Sequence, residues 1–174
     1  MFERLIQILS YDPKNPLIFS SGLFLFLFFG FSSIYMLLQH RSNLRILFVT
    51  LFSYYFYYKS SGFYFFLLAV ITTSDYFIAE AIGRIKGDSD VKTRKMKMLM
   101  VASLCIDLGF LAYFKYTNFF AGLIADLIGK NFQPWDIFLP VGISFFTFQS
   151  MSYVIDVYRG KIKPLGSLMD YAFY

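Results

Sequence analysis

LPVGISFFTFQSMSYVIDVYRGKIK, residues Leu139 to Lys163, is the stretch on which the reading of this chain turns. At ~1.5 Å per helical residue its apolar part runs roughly 30 Å, the thickness of a bilayer's hydrocarbon core. It is not a plain lipid-facing helix, because Ser144, Thr147, Gln149, Ser150, Ser152 and Asp156 interrupt it. On a helix advancing ~100° per residue, Gln149, Ser152 and Asp156 fall within one narrow arc. Polar groups at membrane depth are costly unless they face protein or water. The arc is therefore expected to face a bundle interior or a wet funnel. Pro140 and Gly142 open the segment, where a helix start tolerates proline. Arg159, Lys161 and Lys163 close it with a basic cluster.

Composition supports a membrane setting for the whole chain. It is 57% hydrophobic, 22% aromatic and 16% charged, with a mean hydropathy of +0.56. Soluble domains carry about 25% charged residues. A soluble core of this size has no room for 24 Phe and 14 Tyr, whereas lipid contact and headgroup belts accommodate them. The net charge is +5, but the basic residues bunch beside apolar runs. That pattern marks cytoplasmic loops of a membrane protein rather than a nucleic-acid surface. The lone cysteine, Cys105, sits in an apolar run and reads as a small buried side chain. No spacing of metal-ligand type occurs, so neither a metal nor a bound cofactor is expected.

Working outward, the spacing predicts an all-α polytopic bundle with about five spans. Residues 1–15 read as an interfacial amphipathic helix, with Phe2, Leu5, Ile6 and Leu9 at helical spacing. Tyr11 to Pro16 reads as a turn, since Asp-Pro and Asn-Pro disfavour helix. The membrane segments are 17–38, 46–58, 63–82, 98–120 and 139–158. The second is short for a full crossing and ends in the aromatic run SYYFYY, which fits a headgroup boundary. A basic loop, Gly83 to Lys97, carries Arg84, Lys86, Lys92, Arg94, Lys95 and Lys97 against Asp88 and Asp90. With that loop in the cytoplasm, alternation places Gln39 to Arg45 and Arg159 to Lys163 on the same side. The N-terminus is then expected outside.

Asp75, Asp107 and Lys115 are ionisable groups inside spans, at positions that are functional or paired. Counting helical rises puts Asp75 and Asp107 at similar depth, and Lys115 nearer the outer face. Their expected role is structural, as interhelical hydrogen bonds or a salt bridge, while Gln149, Ser152 and Asp156 are the candidate funnel wall. His40 lies between Gln39 and Arg41 and reads as a loop histidine at the membrane edge, although histidine is the usual general base.

Three stretches carry a family resemblance: LPVGISFFTFQSMSYVIDVYRG, TTSDYFIAEAI (Thr72 to Ile82) and LGFLAYFKYTNFF (Leu108 to Phe120). Together they resemble the N-terminal part of the membrane-bound O-acyltransferase family, in its branch for bacterial alginate O-acetylation and D-alanyl transfer. The resemblance implies transfer of an acyl group, acetyl foremost, to hydroxyls of an exported polysaccharide. It implies acetyl-CoA or an acyl carrier as co-substrate, and a place in the bacterial cytoplasmic membrane. Partners implied are the lipid bilayer, the polysaccharide acceptor and other envelope acetylation proteins, with no nucleic acid. The family's essential histidine lies downstream of the long stretch, where this chain offers no match. No catalytic residue is therefore assigned, and the chain alone is expected to be inactive. Two alternatives stand beside this reading: a non-catalytic scaffold or partner-binding subunit, and a channel or transporter component suggested by the charges within spans.

Overall fold

A computed structural model of the protein describes residues 10–12, 17, 21–85 and 90–174. The expected interfacial helix over 1–15, and most of the turn after it, lie outside the described residues. Every regular element among the described residues is helical. These are α1 (Gly22–Leu37), α2 (Ser42–Ser61), a 3-10 turn (Gly62–Tyr64), α3 (Phe65–Arg84), α4 (Asp90–Leu111), a π turn (Ala112–Tyr116), α5 (Thr117–Leu127), α6 (Ile143–Tyr158) and α7 (Leu168–Phe173). Two helical stretches, Ser42–Arg84 and Thr93–Leu127, are long and apolar enough to cross a membrane, and α1 is apolar but shorter.

The helix ends differ from the expected ones for identifiable reasons. α2 extends past Tyr58 because its polar end is covered by the chain before α1. The Leu17 N–H donates to the Lys59 carbonyl at 3.1 Å, the Ser60 hydroxyl donates to the Leu17 carbonyl at 2.8 Å, and Lys59 Nζ donates to the Ser10 carbonyl. Lys59, Ser60 and Ser61 are buried as a result. α4 starts at Asp90, so Arg94, Lys95 and Lys97 belong to its first turns rather than to a loop. Lys, Arg and Met are good helix formers, and their charge does not stop a helix. α6 starts at Ile143 rather than Leu139, because Gly142 takes a left-handed φ of 74°, a conformation that suits glycine.

The chain forms two compact units, Met1–Ala69 with Leu165–Tyr174, and Val70–Pro164. In the first, α1 and α2 meet along a run of rings. Phe24 packs on Phe56 at 5.5 Å between centroids, and Phe31 stacks on Phe52 at 4.4 Å and on Phe48 at 5.2 Å. The pairing order shows that the two helices run antiparallel. α7 packs on α2 and starts at Ser167, whose hydroxyl oxygen accepts from the Asp170 N–H at 3.1 Å. This is the S-x-x-D pattern of a capping box.

In the second unit, α4 packs against α6. The buried positions follow helical spacing: Ile71, Asp75, Ala79 and Ile82 on α3, and Ser103, Asp107 and Leu111 on α4. On α6 they are Ile143, Thr147, Ser150, Tyr153, Val154 and Val157. Apolar side chains elsewhere on these helices point outward, among them Phe77, Val101 and Phe145. Asp75, Ser103, Asp107, Thr147 and Ser150 thus lie inside a largely apolar core while large apolar side chains face out, an arrangement suited to lipid.

Candidate functional site

The buried polar side chains of Val70–Pro164 converge on Asp75, which is 0% exposed. Its carboxylate oxygens accept from two helices: Ser103 Oγ of α4 donates to Oδ1 at 2.5 Å, and Ser150 Oγ of α6 donates to Oδ2. Asp75 thereby ties α3 to both neighbours through charge-assisted bonds, the stronger class of hydrogen bond. The Asp107 carboxyl, also 0% exposed, lies beside Asp75 and interacts with it. Neither Asp107 oxygen has a hydrogen-bond partner of good geometry among the described residues, and the same holds for Thr147 Oγ1.

Further along, Lys115 Nζ donates to Ser144 Oγ at 3.2 Å. Ser103 and Ser150 meet through Asp75, and Lys115 meets Ser144, so α4 with its π turn runs antiparallel to α6. The π turn holding Lys115 is a rare geometry that recurs at functional sites. One turn later, Asn118 holds the backbone of Trp135 from both sides. Its Nδ2 donates to the Trp135 carbonyl at 2.8 Å, and its Oδ1 accepts from the Trp135 N–H at 2.9 Å.

The residues singled out from sequence fall into two groups. Asp75 and Asp107 come together in one cluster, and Lys115 bonds to α6 instead of to either acid. Gln149, Ser152 and Asp156 lie on a different face of α6 from the buried one. Ser152 is exposed, Gln149 and Asp156 are half-buried, and Asp156 pairs with Lys161 at 3.4 Å. The arc thus borders the outside of this unit, whereas Thr147 and Ser150 of the same stretch face its core. Sequence reasoning missed Ser103. Its spacing of four from Asp107 was the available signal, because it places both on one helix face. His40 sits in the exposed turn after α1, with its Nε2 3.3 Å from Gln39 Nε2. Cys105 is exposed rather than buried, since the narrow buried seam of α4 passes through Ser103 and Asp107.

These contacts draw on all three stretches that carried the family resemblance: Asp75 from TTSDYFIAEAI, Lys115 and Asn118 from LGFLAYFKYTNFF, and Ser144, Thr147 and Ser150 from the long stretch. Comparison with known proteins bears on the same point. The chain is 35% identical to the "Probable alginate O-acetylase AlgI" of Pseudomonas aeruginosa over 163 residues, 91% of this chain and 30% of that protein. It is 33% identical to the protein of the same name in Pseudomonas putida, over 91% of this chain and 32% of that protein. It is also 29% identical to the "Peptidoglycan O-acetyltransferase" of Helicobacter pylori, over 89% of this chain and 29% of that protein. The chain is a homologue of bacterial O-acetylases. The resemblance to the membrane-bound O-acyltransferase branch is borne out, and with the two apolar helical stretches it identifies a membrane protein. The chain spans about 30% of the length of the curated relatives it matches. No protein-family model matches the chain, and no solved structure does.

Proposed function

We propose that this protein is a membrane-embedded O-acyltransferase that moves an acetyl group onto hydroxyls of an exported polysaccharide. The observation that carries the reading is the match, over nine-tenths of the chain, to relatives named for O-acetylation of alginate. The donor, acetyl-CoA or an acyl carrier, is made in the cytoplasm and the glycan lies outside, so the two must meet across the bilayer. In this reading the Asp75 cluster holds α3, α4 and α6 in fixed register. α6 then presents Gln149, Ser152 and Asp156 as one wall of the funnel in which donor and acceptor meet. Such fixed positioning contributes to acyl transfer by limiting the orientations that must be lost at reaction.

The test is made in the host. Deleting the gene lowers the ester-linked acetyl content of the exported polysaccharide, and the wild-type gene restores it. Genes carrying Gln149→Leu or Asp156→Leu restore about tenfold less per unit of membrane protein. An unchanged acetyl content after deletion sinks the enzyme reading, and full restoration by both variants removes the arc from the funnel.

The proposed arrangement has about five spans in the bacterial cytoplasmic membrane. α2 and α3 each have 20 residues, about 30 Å of helix, which suits one crossing apiece. Gly62, at φ 61°, breaks the helix between them. The basic groups at Arg41–Arg45, Arg94–Lys97 and Arg159–Lys163 then share the cytoplasmic side, with the N-terminus outside. In a Cys105→Ser background, Lys130→Cys is expected to react with an impermeant thiol reagent in intact cells, and Lys95→Cys is expected to be protected. The reverse labelling overturns this orientation.

A further inference from the structure

We propose that Asp75, Asp107 and Thr147 form a site for one small monovalent cation, a proton or a sodium ion. The argument begins with charge. Two adjoining carboxyl groups lie inside the unit at 0% exposure. α3 brings Asp75, α4 brings Asp107 with Ser103, and α6 brings Thr147 and Ser150. Among the described residues no Lys, Arg or His pairs with either acid: Arg84 pairs with Glu80 and Lys161 with Asp156, while Lys115 is engaged with Ser144. Two buried like charges without a counter-charge are not tolerated, because burial and mutual repulsion both oppose the second one. One positive charge is therefore required at this place.

The second observation is independent of the first and says where the charge sits. Asp75 already accepts from two serines. Among the described residues no donor reaches the buried Asp107 oxygens and no hydrogen-bond partner reaches the buried Thr147 Oγ1. Because α4 and α6 run antiparallel, going on from Ser103 to Asp107 and back from Ser150 to Thr147 moves one turn in the same direction. Asp107 and Thr147 thus fall on one level, one turn along from the serines that hold Asp75. Buried polar groups are normally satisfied. A cation there supplies what is lacking: a proton makes the Asp107 carboxyl a donor toward Asp75, and a sodium ion takes the Asp107 oxygens and Thr147 Oγ1 as ligands. A divalent ion fits worse, since the two nearby serine hydroxyls already stabilise the Asp75 carboxylate and leave one charge to be neutralised. In either form the cation offsets the repulsion between Asp75 and Asp107, so its loss loosens the three-helix core.

The site is independent of the acyl-transfer reading, and its test reads stability and vibration instead of activity. The chain is reconstituted in phospholipid nanodiscs with carbon-13 aspartate. Thermal midpoints are compared in sodium chloride and choline chloride at equal ionic strength, and infrared spectra are taken at neutral pH. If the cation is sodium, the midpoint rises in sodium chloride by at least about 2–4 °C, and Asp107→Asn abolishes the rise. If it is a proton, a labelled protonated-carboxyl band is present in the wild type and lost in Asp107→Asn. Where Asp107→Asn does not accumulate, Thr147→Val keeps the side-chain shape and the wild-type spectrum stands by itself. Absence of both the sodium effect and the protonated band overturns the site.

Discussion

Replacing Asp75 by leucine is expected to destabilise the protein by about 3 kcal/mol and to lower its amount in the membrane severalfold. The estimate has two parts. Interhelical hydrogen bonds in membranes are worth only ~0.6 kcal/mol each on average, so losing those from Ser103 and Ser150 accounts for about 1 kcal/mol. The larger part is what is left behind. Ser103 is 0% exposed and Ser150 is 6% exposed, and a buried hydroxyl deprived of its acceptor costs roughly 1–3 kcal/mol. Asp75→Asn separates the two parts, because the amide keeps one acceptor oxygen at the same place. It is expected to cost less than half as much. The measurement is the thermal midpoint of each variant in detergent, with membrane abundance as a second readout. A leucine variant as stable as wild type would show that the serines find other partners and that Asp75 does not tie the helices together.

The reach of the sequence is clearest around this cluster. Charge-free runs and bunched basic residues mark the helices, because lipid removes the option of burying apolar surface anywhere but outward. Hence α1 and α3 sit close to the expected segments 17–38 and 63–82. Where polar residues are satisfied by distant chain, the pattern fails. Lys59, Ser60 and Ser61 look like a loop, yet they finish α2 because Ser10 and Leu17 bond to them. The candidate site was half legible. Asp75 and Asp107 stand out as acids within apolar runs, and counting rises puts them at one depth. Which face of α6 meets them was not legible, since that helix carries polar groups on two faces. Gln149, Ser152 and Asp156 form the more conspicuous arc, but packing against α4 selects Thr147 and Ser150. Such a choice depends on the neighbouring helix, and the neighbour's polar seam consists of two side chains, Ser103 and Asp107.

The other large effect is expected at Gly62, outside the polar cluster. Gly62 follows the last residue of α2 with φ 61° and ψ −137°, a region that residues with a Cβ scarcely enter. A side chain there would also meet the ring of Tyr11, with the Cβ 2.7 Å from Cε1. Tyr11 packs on Tyr58 at 6.2 Å between centroids, and the segment it belongs to covers the buried Lys59. Gly62→Val therefore carries two separate penalties. Backbone strain contributes about 1–3 kcal/mol, worst for a β-branched residue, and displacement of the Tyr11 ring uncovers the end of α2. The sum is expected to reach about 3 kcal/mol, with Gly62→Ala costing somewhat less. A double-mutant cycle with Tyr11→Ala divides the cost. Removing the ring relieves the collision but leaves the strained backbone, so the double variant recovers only part of the loss and shows a coupling of about 0.5–3 kcal/mol. Two results would count against this account: a valine variant as stable as wild type, or full recovery by Tyr11→Ala, which would mean that the turn tolerates a side chain once the ring is gone. The first would place the break between α2 and α3 elsewhere than at Gly62.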